Sequence, residues 1–190
     1  MDGSDDSDDA DSLAWETLDS RTDYSCPGFD VRVDDVRFPD GTEAEYHTVD
    51  EPDAVVVLPF TPDGDVVIIE EWRQAVGRVN RGLPAGSVES DDVDLAAAAA
   101  RELTEETGYE ASALEAVGRV EPANGLLNAT HHHFVARGCE PTGEQSLDEN
   151  ESIRVAEVPF PDLRDAAVAG DLVDGRAAYG VLRYALATAE

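Results

Sequence analysis

The sequence predicts an α/β fold, in which an α/β/α sandwich with a mixed sheet follows an N-terminal antiparallel β subdomain. Three observations support this: strand-like segments on both sides of one alanine-rich helix, a hairpin-like pair near the N-terminus, and two helical stretches at the C-terminus. Strands flanking a helix, with more helix at the end, are typical of helices packed on a sheet. With 190 residues, the chain can bury one main core and has about 40 residues left for an accessory element.

The chain begins with an acidic, low-complexity tail over residues 1–12, which we expect to be disordered. Two alternating segments, Phe29–Phe38 and Thr42–Val49, follow and are joined by a Pro-Asp-Gly turn. Alternation on both sides of such a turn predicts a β-hairpin. We therefore expect an N-terminal β subdomain over residues 13–52 and the main domain over residues 53–190.

The main domain begins with a second predicted hairpin. Its strands, Val55–Phe60 and Val66–Trp72, are almost continuously apolar, as expected for strands covered on both faces. The later elements are predicted from the same kinds of pattern. They are strands over Leu114–Val120, Thr130–Arg137 and Ile153–Val158, and helices over Asp162–Gly170 and Arg176–Ala187.

The central helix is predicted from its alanine run and from Leu95 and Leu103, which lie eight residues apart on one face. Asp91 or Asp92 can cap its N-terminus, and Gly108 follows the last turn as a stop signal.

Three carboxylates, Glu102, Glu105 and Glu106, share one face of this helix. Each like-charge pair at this spacing costs roughly 0.2–0.5 kcal/mol, and the negative end of the helix dipole adds to that cost. Helix stability therefore does not explain them. A hard cation such as Mg²⁺ does, because it prefers carboxylate oxygens, and Arg101 would then hold the carboxylates in place. A solvated acidic face remains the alternative at this point.

The charge balance is extreme, with 43 acidic residues against 13 basic ones and a net charge of −30. All the basic residues are arginine. Such a surface repels nucleic acid and anionic membranes, so we expect neither as a partner. The composition resembles that of proteins from salt-in halophiles, and we expect the fold to need high salt.

Other features favour a soluble, cytoplasmic protein. Cys26 and Cys139 form no disulfide framework. The N-terminus has no signal-peptide pattern, and no apolar run approaches the roughly 18 residues needed to span a membrane.

The helix and its approach resemble the Nudix box, G-x5-E-x7-R-E-U-x-E-E-x-G-U with U aliphatic, the signature of Mg²⁺-dependent hydrolases. The half from Arg101 to Gly108 matches in full. In the first half, Asp92 stands in place of the glutamate and eight residues instead of seven separate it from Arg101. Tyr109 replaces the final aliphatic residue.

Two further segments are similar to the ADP-ribose pyrophosphatase branch of that superfamily. They are the stretch from Glu71 to Gly86, with its Glu-Trp-Arg-Gln and Leu-Pro-Ala-Gly motifs, and the acidic segment Leu147–Val155. The resemblance runs from about Trp15 to the C-terminus and implies the Nudix fold. It also implies a homodimer that exchanges its N-terminal sheet, which residues 13–52 would supply.

The resemblance also implies roles for single residues. Glu102, Glu105, Glu106 and the backbone carbonyl of Ala85 would hold Mg²⁺, with Mn²⁺ as an alternative ion. Glu105 and Arg101 also count among the catalytic residues by this resemblance.

The same resemblance makes Glu151, or its neighbour Glu149, the general base, although a solvated loop is the alternative for this pair. Arg73 would bind the diphosphate, unless it only forms a salt bridge at the strand end. Tyr46 could stack on adenine from the partner subunit, against a cross-strand packing role.

The function implied is Mg²⁺-dependent hydrolysis of the pyrophosphate bond in a nucleoside diphosphate linked to another group. ADP-ribose, converted to AMP and ribose 5-phosphate, is the first substrate expected. Asn124 stands sixteen residues beyond Gly108, where those enzymes usually carry proline, so nucleoside diphosphate sugars, NADH and nucleotides stay open. A catalytically silent nucleotide sensor is the other class of function. A metal site at His131–His133 is not predicted, because Mg²⁺ prefers oxygen ligands.

Overall fold

The structure is a computed structural model that describes residues 12–148 and 150–189. The chain divides into two compact units. The first contains the described residues up to Glu51 together with Ala123–Ala129, and the second contains Pro52–Pro122 and the described residues from Thr130 onward. The predicted disordered tail, apart from residue 12, lies outside the described residues.

The first unit contains a three-stranded antiparallel sheet of β1 (Glu16–Cys26), β2 (Phe29–Arg37) and β3 (Glu43–Asp50), in that order. The predicted hairpin is confirmed as β2 and β3, and Gly41 in their turn has a φ of 86°, which favours glycine. The sequence did not predict β1. Its polar residues show no apolar alternation, and it joins the sheet through backbone pairing along the whole of β2.

The second unit contains a seven-stranded mixed sheet, a two-stranded ribbon and three helices. The elements before the central helix are β4 (Ala54–Phe60), β5 (Asp65–Arg73), β6 (Arg78–Gly82) and β7 (Ala85–Ser87). The rest are α1 (Leu95–Thr107), β8 (Tyr109–Glu110), β9 (Ala113–Val120), β10 (His131–Arg137), β11 (Glu140–Pro141), β12 (Ile153–Pro159), α2 (Phe160–Ala169) and α3 (Gly175–Thr188).

The strand order of the large sheet is β12-β5-β4-β10-β9, with β6 added beside β5 and β7 beside β4. Among the described strands of this sheet, β4 and β10 are the parallel pair and the other pairs are antiparallel. The expected hairpin of β4 and β5 is wrong in its extent, because the two strands pair only at Phe60 and Val66 beside the turn. Beyond that point β4 pairs with β7 and β10, while β5 pairs with β6 and β12.

Helices cover both faces of this sheet. Helix α1 packs Ala98, Ala99 and Leu103 against Val55 and Val57 of β4. The other apolar cluster joins the sheet to α2 and α3, and it includes Val56, Leu58, Val66, Ile68, Leu163 and Val181. Both β4 and β5 are buried on both faces, as their apolar sequences predicted. The α/β/α sandwich is therefore confirmed.

The N-terminal cap of α1 differs from the prediction. Asp94 is the cap: its backbone is extended and its carboxylate accepts a hydrogen bond of 2.8 Å from the Ala97 N–H. Asp91 and Asp92 were the wrong candidates, because the helix begins only at Leu95. Gly108 is confirmed as the stop, with a φ of 72° and its N–H bonded to the Thr104 carbonyl.

None of the helices in the described ranges combines the length and the apolar character required of a membrane span.

Candidate active site

Two glutamates of α1 point at the backbone of β7. The Ala85 N–H donates a hydrogen bond of 2.9 Å to Glu106 Oε2. A Cβ built on Gly86 would clash with the carboxylate of Glu102, so a side chain there would displace that carboxylate. Because β7 pairs with β4 and α1 packs on β4, the fold holds both glutamates against the Ala85-Gly86 segment.

Arg101 contacts three acidic side chains, Asp92, Glu102 and Glu105. Its Nη1 lies 2.8 Å from Glu102 Oε1 and 3.0 Å from Glu105 Oε2. Its Nη2 donates to the Ser87 carbonyl and to Asp92, both at 2.9 Å. Arg101 thus ties the N-terminal approach of α1 to two glutamates of its last turns. In the structure, Asp92 is an ion-pair partner that orients Arg101.

The buried carboxylates are crowded. Burial, with Glu105 and Glu151 as secondary causes, raises the pKa of Glu102 to about 7. Burial, with Glu102, Glu151 and Glu71 as lesser causes, raises the pKa of Glu106 to about 8. Arg101 opposes the shift of Glu102 and the Ala85 N–H opposes that of Glu106, but burial outweighs both contacts. The ionised forms therefore need more positive charge than these contacts provide.

A hard divalent cation would supply that charge, and Glu102 and Glu106 offer it oxygen ligands beside the Ala85-Gly86 backbone. Across residues 12–148 and 150–189, no three acidic, histidine or cysteine side chains already surround a common point. Arg101 and the Ala85 N–H hold the glutamates instead. The residues present fit a metal in chemistry and charge, and the metal site stays a prediction.

Glu71 is a buried carboxylate for which the sequence predicted no role. It lies on β5, only 7% exposed, and its Oε2 forms an ion pair of 2.7 Å with Arg73 Nη2. Apart from this ion pair, that oxygen has no hydrogen-bond partner in the described chain. Burial raises its pKa. Alternation along β5 could have identified it, since Ile69, Glu71 and Arg73 share one face.

Glu151 acts through its charge on three of the buried carboxylates, Glu71, Glu102 and Glu106, which places it within electrostatic reach of the cluster. Its own carboxylate accepts a hydrogen bond of 3.0 Å from the Asp148 N–H, and its N–H donates to the Asp148 carbonyl. Glu149, the other predicted base, lies outside the described residues.

Tyr46 lies on β3 in the first unit. Its ring lies nearly perpendicular to that of Trp15 at a centroid distance of 5.4 Å, and its hydroxyl donates to the Gly125 carbonyl at 2.7 Å. These contacts are packing contacts, the alternative to adenine stacking for Tyr46.

His131 and His133 are both buried. The ring of His133 packs against Tyr179 at a centroid distance of 4.7 Å. They lie on β10, which pairs with β4 as β7 also does.

Comparison with known families matches the NUDIX domain to residues 50–176 of this chain. The chain belongs to the Nudix family. A second family, the nucleoside diphosphate sugar hydrolase N-terminal domain, matches residues 15–49. The range matched to the NUDIX domain includes four of the carboxylates described above, Glu71, Glu102, Glu106 and Glu151.

The chain is also similar to individual relatives and to a solved structure. The chain is 30% identical over 171 residues to the ADP-ribose pyrophosphatase of Bacillus subtilis (strain 168), covering 90% of this chain and 92% of the relative. It is 31% identical over 133 residues to the methanol dehydrogenase activator of Bacillus methanolicus, covering 70% and 71%. A crystal structure of an ADP compounds hydrolase has a TM-score of 0.79 at 22% identity, covering 90% of this chain and 92% of that one. This structure establishes the shared fold, and the family matches confirm the prediction of an enzyme, a Nudix pyrophosphohydrolase.

Proposed function

We propose that this Nudix hydrolase cleaves the pyrophosphate bond of ADP-ribose in a Mg²⁺-dependent reaction that yields AMP and ribose 5-phosphate. One observation carries the proposal: two buried glutamates, Glu102 and Glu106, are held against the Ala85-Gly86 backbone, within electrostatic reach of Glu151. The relative named an ADP-ribose pyrophosphatase, similar over 90% of this chain, supports the substrate.

Glu102, Glu105, Glu106 and the Ala85 carbonyl would hold Mg²⁺, or Mn²⁺ in its place. When bound, the metal neutralises the charge of the pyrophosphate and lowers the pKa of the attacking water. Arg101 keeps Glu102 and Glu105 in place through its two short contacts. Burial raises the pKa of Glu102 and Glu106, and a bound divalent cation would favour their ionised forms.

Glu151 is the general base in this proposal and takes the proton of the attacking water. The Asp148 N–H donates to its Oε2 at 3.0 Å, and a carboxylate can accept further hydrogen bonds, so this contact leaves room for the water. Arg73 binds the diphosphate, because a planar guanidinium matches two phosphate oxygens. The ion pair with Glu71 aims Arg73 from β5 before substrate arrives.

We further propose a homodimer formed through the first unit, in the cytoplasm of a salt-in halophile. Strand β1 is exposed along nearly its whole length, and the apolar side chains of Trp15, Leu18 and Tyr24 are 47%, 40% and 56% exposed. A second copy of the chain would cover them. Sedimentation equilibrium in molar KCl tests this: a monomer at micromolar concentration would contradict the dimer.

Product analysis in molar KCl tests the activity. The wild-type chain is incubated with Mg²⁺ and ADP-ribose, NADH, UDP-glucose or ATP, beside a Glu106→Gln variant as control. AMP from ADP-ribose, lost in the control, is the expected result. Turnover of another compound would keep the reaction and change the substrate, and no turnover of any would contradict the proposal.

The general base is tested with a matched pair of variants, Glu151→Gln and Glu149→Gln. We expect Glu151→Gln to lose most of kcat while substrate binding survives, and Glu149→Gln to keep most of it. Equal, modest losses in the two variants would contradict the assignment.

Nucleoside diphosphate sugars are a second candidate substrate class. The N-terminal domain of nucleoside diphosphate sugar hydrolases matches residues 15–49, and Asn124 replaces the proline that the ADP-ribose enzymes usually carry. UDP-glucose in the same assay separates the two classes. A role as a nucleotide-dependent regulator, which the relative named a methanol dehydrogenase activator supports, predicts tight nucleotide binding with slow turnover.

A further inference from the structure

The C-terminal end of α1 is covered by the segment that leads to Glu151. The Ser146 N–H donates to the Glu105 carbonyl at 2.9 Å, and the Gln145 side-chain amide donates to the Glu106 carbonyl at 2.6 Å. The last carbonyls of a helix have no partner within the helix, so outside donors must satisfy them. Here the donors come from residues 145 and 146, and the acceptors belong to two of the three box glutamates.

The same segment makes a second contact one residue beyond the helix. The N–H groups of Thr142 and Gly143 both donate to the Gly108 carbonyl, at 3.0 and 3.3 Å. A Cβ on Gly108 would lie 2.6 Å from the Gly143 carbonyl, so a side chain there would push the segment away. Glycine at position 108 therefore has two roles. It adopts the left-handed conformation that ends α1, and it allows this segment to approach closely.

These contacts fix one end of the connection between β11 and β12, five residues before Glu151. Glu151 is held locally by its two bonds with Asp148. Its charge reaches Glu102 and Glu106, whose carboxylates project from the helix on which Gln145 is anchored. One helix end thus carries the metal-binding candidates and also supports the segment that presents the base.

We infer that Gln145 is a positioning residue for the hydrolysis, which holds the segment carrying Glu151 on the C-terminal end of α1. The inference rests on the proposed function of Glu151 as the base. Gln145 binds the Glu106 carbonyl through its side-chain amide, and it acts by limiting where Glu151 can reach. A misplacement of a reacting group by about 1 Å can cost on the order of a hundredfold in rate.

Gln145→Met keeps the length of the side chain and removes the donor. We expect kcat for ADP-ribose to fall about ten- to a hundredfold, with KM and the Mg²⁺ concentration for half-maximal rate within about twofold of wild type. Gln145→Lys restores a donor to a helix C-terminus and should recover most of the lost kcat. Thr188→Val is the matched control, since Thr188 donates to the Tyr184 carbonyl in α3 and should leave kcat unchanged.

A double-mutant cycle separates positioning from a purely structural role. If Gln145 acts through Glu151, adding Gln145→Met to Glu151→Gln should cause no further loss of kcat. An equal loss in both backgrounds would overturn the inference. Amide hydrogen exchange gives a readout besides activity: the Ser146 N–H should exchange faster in Gln145→Met than in wild type.

The outcomes distinguish this inference from the proposed function. A wild-type chain without turnover on any tested substrate would overturn the proposed function. Full activity of Glu151→Gln would overturn both the base assignment and the inference. Wild-type turnover with a Gln145→Met variant equal to wild type in kcat and in Ser146 exchange would overturn the inference alone.

Discussion

At the scale of single residues, the site keeps carboxylates where their charge is unfavourable. Glu106 is 2% exposed, with one backbone N–H as its hydrogen-bond donor and three other carboxylates raising its pKa. In the metal-free protein this arrangement opposes folding above the ordinary glutamate pKa. Glu106 destabilises the metal-free protein, so its burial is better explained by the binding of a cation than by a contribution to stability.

Glu106→Gln should therefore lower activity and raise the stability of the metal-free protein. Its pKa of about 8 lies above the unfolded value, so stability is lost as pH rises from about 4.5 through 8. The neutral amide removes this loss, and we expect the free energy of unfolding at pH 8 to rise by about 1–3 kcal/mol. Turnover should fall by at least about a hundredfold.

Urea unfolding in EDTA and high KCl measures the stability change. Glu105→Gln is the control, because the Glu105 side chain is 42% exposed and its replacement should alter stability less. A metal-free Glu106→Gln variant less stable than wild type at pH 8 would contradict the account of crowded charge.

His133 should make the fold sensitive to acid. It is 1% exposed, neither ring nitrogen has a hydrogen-bond partner in the described chain, and burial lowers its pKa to about 4. The unfolded chain binds the proton first, so stability falls as pH drops through about 6.5 toward 4. His133→Phe should reduce the loss of unfolding free energy between pH 7.5 and 5.5 by about 1.4 kcal/mol. Urea titrations at both pH values measure it, and a wild-type pH slope in the variant would refute it.

At the scale of elements, the short strand β7 determines which backbone groups lie against the buried glutamates of α1. Strand β7 has only three residues, yet its pairing with β4 places Ala85 and Gly86 under the two buried glutamates. The extra residue before α1 lies in the loop ahead of the helix. There the Asp92 carboxylate accepts hydrogen bonds from Arg101 and from the Glu89 N–H. Asp94, and not Asp92, therefore caps the N-terminus of α1.

Asp94→Ala should destabilise the protein by about 1 kcal/mol, because it leaves the Ala97 N–H without its acceptor. Asp91→Ala, three residues earlier in the loop, is the matched control and should change stability by a few tenths of a kcal/mol at most. Thermal or urea unfolding of the two variants in high KCl compares them. Equal losses would mean that general charge, and not the cap, determines the effect.

At the scale of the whole molecule, charge is the dominant property. Arg21, Arg32 and Arg37 of the first unit each pair with acidic side chains, and 43 acids exceed 13 arginines. Most carboxylates therefore repel one another across the surface. At 1 M salt, the screening length falls to about 3 Å and this repulsion is largely removed.

We expect the melting temperature to rise by at least about 10 °C between 0.1 and 2 M KCl. Calorimetry at both salt concentrations measures the shift. Sucrose of equal osmolality is the control, because it favours compact states without screening charge. An unchanged, cooperative transition in dilute buffer would contradict the dependence on salt.

The sequence by itself determined the fold class, the central helix and the three glutamates on one helix face. Each depends on local periodicity, which the chain carries without reference to distant residues. The half of the Nudix box from Arg101 to Gly108 could be identified in the sequence for the same reason, since its residue spacing matches helical geometry.

Only the tertiary structure decided the rest. Strand β1 is polar and becomes a strand only through pairing with β2, and β4 and β5 separate because β6 and β7 provide other partners. The burial of Glu71 and the anchoring of Gln145 on α1 join residues far apart in sequence. Such contacts depend on how distant segments pack, and no local pattern records that.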